Sequence, residues 1–166
     1  MNACSSLGWA GQTIKIAERN KWLLDIALDH LSLGRAALAR TFRVSKTPKV
    51  WDEAAAHLDQ AVDGLRQAGT QDTLPLGLLA RATLRRAMGD LERAQADLDE
   101  AFTIATRGGM RLHEADCHLE YARLYLARGE KDQARASLAA ARKMVEEMGY
   151  HRRDGEVKEL EAQLGA

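Results

Sequence analysis

Apolar and small residues recur three and four positions apart along most of this chain, as in Leu78 and Ala82 and then Ala94, Leu98 and Ala101. That is the period of one helix face, and no stretch alternates like a strand. The pattern also repeats on a longer scale. Residues 78–110 set above 118–150 bring small residues into register at a spacing of 40: Ala82 with Ala122, Gly89 with Gly129, Ala94 with Ala134, Ala101 with Ala141, and Gly109 with Gly149. Leu98 falls on Leu138, and a further step of 40 back lands on Ala54, Leu58, Ala61 and Gly69. Self-similarity at such a period is the mark of a stacked array.

Upstream the match continues after a jump of eight residues, 12–34 lying over 100–122, so that His30 pairs with His118 and Leu31 with Leu119. The extra residues fall between Leu38 and Ala54, around the polar run Ser45-Lys46-Thr47-Pro48. An insertion in such a surface segment costs little stability. Gly89 and Gly129 read as helix stops, because glycine accepts the left-handed conformation after a last turn. Asp90 and Glu130 follow, acidic groups suited to the start of the next helix. The pattern predicts helices at 8–19, 21–42, 48–68, 73–88, 91–107, 111–128, 131–148 and 153–164. As a single domain over 1–166, these make a half repeat (8–19), repeat 1 (20–69, insertion at 41–50), repeat 2 (70–109), repeat 3 (110–149) and a capping helix (150–166).

The trios Ala54, Leu58, Ala61; Ala94, Leu98, Ala101; and Ala134, Leu138, Ala141 resemble the second helix of a tetratricopeptide repeat. Ala122 with Tyr125, and Leu33-Gly34 with Ala37, resemble its first helix. The resemblance implies an all-α solenoid of antiparallel helix pairs wound as a right-handed superhelix, here with a period near 40 in place of the family's shorter one. Arg81 and Arg85 depart from it, standing where large apolar residues are usual. Residues 108–129, with 149–157, also resemble the C-terminal repeats of bacterial signalling NTPases of the STAND class, which implies a sensor role beside a separate NTPase. No GxxxxGK phosphate loop occurs in this chain.

Charge narrows the partners. Lys plus Arg and Asp plus Glu both number 24 in 166 residues, whereas proteins that neutralise phosphates show a basic excess. Nucleic acid is therefore not expected as a partner. No run approaches the ~20 apolar residues of a membrane helix, and the N-terminus has no signal-peptide pattern. Cys4 and Cys117 lie far apart and read as reduced thiols, which suggests the cytoplasm. No cofactor motif and no nucleophile with a visible base stands out, so a non-enzymatic role is expected. His113 and Cys117, four apart, are too few for a zinc site, and no metal is expected.

The tetratricopeptide register implies which side chains line the concave face: Leu28, Leu31, Arg35 and Leu38; Leu76, Leu79, Thr83 and Arg86; Asp116, Leu119, Arg123 and Leu126. Leu31, Arg35, Leu79, Thr83, Arg86, Asp116, Leu119 and Arg123 form the candidate groove for a protein or peptide bearing a carboxylate. The plain alternative is that its arginines pair with Asp116 and Glu120. Arg81 and Arg85, one turn apart, read either as an anion-binding pair for a small ligand or as inter-repeat ion pairs with Asp97, Asp116 or Glu120. The front of the array has no capping helix, which makes self-assembly through the N-terminal end the rival role.

Overall fold

The first helix, α1, runs unbroken from Ala3 to Arg43. α2 (Pro48–Ala68), α3 (Leu74–Met88), α4 (Leu91–Arg107), α5 (Arg111–Arg128) and α6 (Lys131–Met148) follow; a 3-10 turn (His151–Arg153) then leads into α7 (Asp154–Leu164). This computed structural model describes the backbone of residues 3–43 and 48–165 and the side chains of 22–42 and 51–165; no strand occurs among the described residues. The insertion expected at 41–50 falls partly on 44–47, outside the described residues.

Local chemistry sets the boundaries. Gly89 (φ 85°) and Gly129 (φ 78°) take the left-handed conformation that an L side chain resists. Gly89 N–H donates to Arg86 O at 3.1 Å and Asp90 N–H to Arg85 O at 2.9 Å, the paired closure of a Schellman motif. The same pair of bonds closes α5, from Gly129 to Leu126 and from Glu130 to Tyr125. Asp90 then caps α4 by accepting from Arg93 N–H at 3.3 Å. Glu130 makes no such side-chain bond, so it acts on α6 only through its charge.

The expected break between 8–19 and 21–42 does not exist. From Thr13 to Leu33 the chain contains neither glycine nor proline to break the helix, and Asn20 does not interrupt it. The segment expected as a half repeat is continuous with the helix that follows it.

Neighbouring helices pack as pairs, α1 on α2, α3 on α4 and α5 on α6. The alanine columns form the seam: Ala54, Ala61, Ala94, Ala101, Ala134 and Ala141 are fully buried beside Leu58, Leu98 and Leu138. Small side chains let helix axes approach, and α1 and α2 come closest of all. A Cβ on Gly34 would lie 2.7 Å from the Leu58 side chain, and one on Gly64 would lie 2.8 Å from the Ala27 Cβ. The odd-numbered helices also touch one another, α1 on α3, α3 on α5 and α5 on α7. Among the described residues α2 and α4 make no comparable close approach; the long side chains of Arg66 and Glu100 bridge them at 2.5 Å. The odd layer is thus the tighter, inner one.

Candidate functional site

All four odd helices contribute to one recess of about 290 Å³. α1 supplies Arg35, Leu38, Ala39 and Phe42, and α3 supplies Leu79, Ala80 and Thr83. Asp116, Leu119, Glu120 and Arg123 come from α5, with Arg153 and Glu156 from the 3-10 turn and α7. One helix spacing explains the α1 set, since 35, 38, 39 and 42 fall on one face. Phe42 is 56% exposed at the rim, held edge-on by Trp51 of α2 at 6.4 Å between ring centroids.

The recess floor carries a relay of ion pairs. Arg153 grips Asp116 with two parallel bonds, Nε to Oδ1 at 2.7 Å and Nη2 to Oδ2 at 2.9 Å. It also pairs with Glu156. Arg123 donates to Glu156 at 2.5 Å and to Glu120, and Arg86 reaches Glu120 from α3 at 3.4 Å. Forked guanidinium–carboxylate pairing of this kind is both strong and directional. Burial lowers the affinity of Arg123 and Arg153 for their protons, but their carboxylate partners outweigh it and raise both pKa values. Glu156 is pushed up by burial and pulled down further by Arg123 and Arg153, ending below the usual glutamate range.

Arg35 differs from every other arginine of this wall. Among the described residues no carboxylate lies within ion-pair distance of it. Protein atoms surround it in the recess although water reaches its side chain. Burial and then Arg153 hold its pKa below the ordinary arginine value, with Asp116 opposing and Arg152 adding to the effect. The wall therefore carries four cations (Arg35, Arg86, Arg123, Arg153) against three anions (Asp116, Glu120, Glu156), and the surplus resides on Arg35.

Of the eight groove residues expected from the sequence, Arg35, Leu79, Thr83, Asp116, Leu119 and Arg123 line this recess. Leu31 does not; it is buried in the apolar cluster that Leu58, Ala80 and Leu76 share. Arg86 lies on the same layer but outside the recess, tied to Glu120. Phe42, Arg153 and Glu156 were not anticipated. Glu156 was within reach, because one more step of 40 from Asp116 arrives at it. Phe42 follows from Leu38 by one helical turn.

Arg81 and Arg85 have a different use from anion capture. Arg81 donates to both oxygens of Asp97 at 3.0 and 2.8 Å and to Asp59 at 3.1 Å. Arg85 reaches Asp97 at 2.7 Å and Asp59 at 3.7 Å. Two cations meet two anions there, with Arg81 and Asp97 both buried, so no positive charge is left for a ligand. This corrects the anion-pair reading.

Cys117, His30, His57 and His118 are engaged in packing. Cys117 is free and fully buried, and burial, then Asp116, Glu120 and Glu114, raise its thiol pKa far from the reactive range. The Nδ1 atoms of His30 and His57 stand 2.9 Å apart between α1 and α2, and His118 meets the Phe102 ring edge-on at 5.2 Å. Among the described residues no three metal-ligating side chains converge, and no helix is long and apolar enough to cross a membrane. The side chain of Cys4 lies outside the described residues.

What these features define is an all-helical protein of adjacent helix pairs whose inner layer carries a charged, partly apolar recess. Compared with known protein families, curated proteins and solved structures, the chain matches none.

Proposed function

We propose that this chain is a non-enzymatic, tetratricopeptide-like binding module that captures a protein or peptide segment on its inner helix layer. The reading includes a right-handed superhelix of period near 40 and a cytoplasmic setting, with no nucleic acid as partner. A sensor role beside a separate signalling NTPase rests on resemblance alone. One observation carries the proposal: seven residues assigned to the concave face by the tetratricopeptide register (Arg35, Leu38, Leu79, Thr83, Asp116, Leu119 and Arg123) converge on a single recess. Its size suits one or two side chains of a bound segment, and Leu38, Phe42, Leu79 and Leu119 place apolar surface beside its charged groups, the mixed make-up of a ligand site.

The test is selection of short peptides from a random display library on the purified protein. Ala39 is exposed and lines the recess, so Ala39→Trp fills it at little cost to folding. Peptides enriched on the wild type are expected to lose binding to Ala39→Trp, while its helical circular dichroism and melting stay the same. Peptides that bind both proteins equally, or no enrichment at all, would remove the inner wall as the capture surface.

A second reading, self-assembly through the front of the array, is favoured by Trp22, Ile26 and Leu33. They are 65%, 47% and 52% exposed and fall on one stripe of α1 at spacings of four and seven.

A further inference from the structure

The relay of ion pairs decides more than the stability of the wall, because it consumes three of the four inner arginines. Asp116 is fully occupied by the forked grip of Arg153, and Glu120 and Glu156 are each shared between two arginines. Recruiting Arg86, Arg123 or Arg153 to a ligand would strip a partly buried carboxylate of its partner, which costs more than an exposed contact returns. Arg35 is the exception, since it can accept an anion without breaking anything.

We infer that Arg35 is the anchor of this site and that the bound segment presents one carboxylate beside an apolar side chain. The inference rests on the proposed role of the inner wall and names the chemistry recognised there. A single carboxylate would give Arg35 the ion-pair partner that it lacks among the described residues, and a guanidinium offers it a two-pronged fit. The exposed ring of Phe42, with Leu38 and Leu79, provides the apolar surface next to that charge. A phosphate would bring a second negative charge against Asp116 and Glu120, and the cations that line the recess besides Arg35 are already paired. The depressed pKa of Arg35 is consistent with a position that lacks a counter-ion.

The carboxylate could belong to a peptide or to a free organic acid, and two probe pairs separate these sources. One pair is an end-blocked peptide with an internal Phe-Glu and its Phe-Gln counterpart; the other is 4-phenylbutyrate and 4-phenylbutyramide. Binding is followed on isotope-labelled protein through the Arg35 side-chain Nε–H resonance and the backbone amides of Thr83 and Leu119. A lone charge-assisted contact with partial apolar burial corresponds to a Kd of roughly 1 mM or tighter. At least one acid is expected to move the Arg35 signal, with the neutral partner of the pair about tenfold weaker or silent. Arg35→Gln should abolish the response, Arg35→Lys should keep part of it, and Arg66→Gln, at a pair between α2 and α4 outside the recess, should leave it intact. If only the Phe-Glu peptide responds, the source is a peptide; if phenylbutyrate responds as well, the site also admits a free acid.

A neutral probe that binds as well as its acid would overturn the carboxylate anchor, as would full binding to Arg35→Gln. If Thr83 and Leu119 shift while Arg35 does not, the anchor fails and the inner-wall reading stands. Silence of all resonances with every probe defeats the anchor, and the display selection then judges the wall on its own.

Discussion

At the scale of single residues, burial turns charge into a structural commitment. Arg81 keeps only about a tenth of its side-chain surface in water, and its guanidinium is matched by Asp97, which is more buried still. Burial pulls the Arg81 pKa down, and the hydrogen bonds and charge of Asp97 more than reverse it. Asp97→Asn removes the negative charge and leaves the cation poorly compensated, so a loss of about 3–5 kcal/mol is expected in urea unfolding. Replacing the pair together, Arg81→Met with Asp97→Leu, is expected to recover most of that loss, because Arg85 and Asp59 still balance each other. A double variant as unstable as Asp97→Asn alone would show that the pair is not acting through its charge. Sequence position identified Arg81 as a departure from repeat pattern. Only the folded contacts say that the departure is paired off within the chain.

At the scale of elements, α7 is held by charge as well as by its apolar face of Val157, Leu160 and Leu164. The charged contacts are Arg123 with Glu156 and Arg153 with Asp116. Because the folded pKa of Glu156 is depressed below 4.5, its contribution to stability is present above that value and is lost as pH falls through the folded pKa. Thermal melts between about pH 6 and pH 3 are expected to fall more steeply for the wild type than for Glu156→Gln. The two curves should meet at the acid end and separate near neutrality. Parallel curves would mean that Glu156 does not fasten α7. The element boundaries themselves were legible from local signals such as Gly89, Asp90 and Gly129, which act within a few residues. α1 shows the converse: a register match near residue 19 suggested a new helix, but neither glycine nor proline interrupts the chain there and the helix runs on.

At the scale of the whole molecule, the two ends differ. α7 closes one end with a short, mostly polar helix, whereas α1 presents Trp22, Ile26 and Leu33 to solvent. Burying such a stripe in a two-fold contact is the simplest route to a dimer. Light scattering at tens of micromolar is expected to give a mass above 18.3 kDa, reduced to that of the monomer by Trp22→Glu with Leu33→Glu. A wild type that is strictly monomeric would end the self-assembly reading without touching the inner recess. The two surfaces lie on different faces of α1, so peptide capture and assembly can be separated by mutation.

The sequence alone determined the helices, their alanine seam and the face on which Leu79, Thr83, Asp116 and Leu119 meet. The helices and the seam follow from backbone chemistry and from periodicities of three, four and 40 residues that are written in the chain, and the face is what the tetratricopeptide resemblance implies. Which arginine is free was decided only by the tertiary structure. Arg153 finds Asp116 across 37 positions and Arg123 finds Glu156 across 33, through flexible side chains whose partners no spacing rule specifies. Arg35 and Arg123 look alike in the repeat register. They part company because Arg123 has Glu120 one turn back on α5 and Glu156 brought by α7, whereas no carboxylate among the described residues pairs with Arg35.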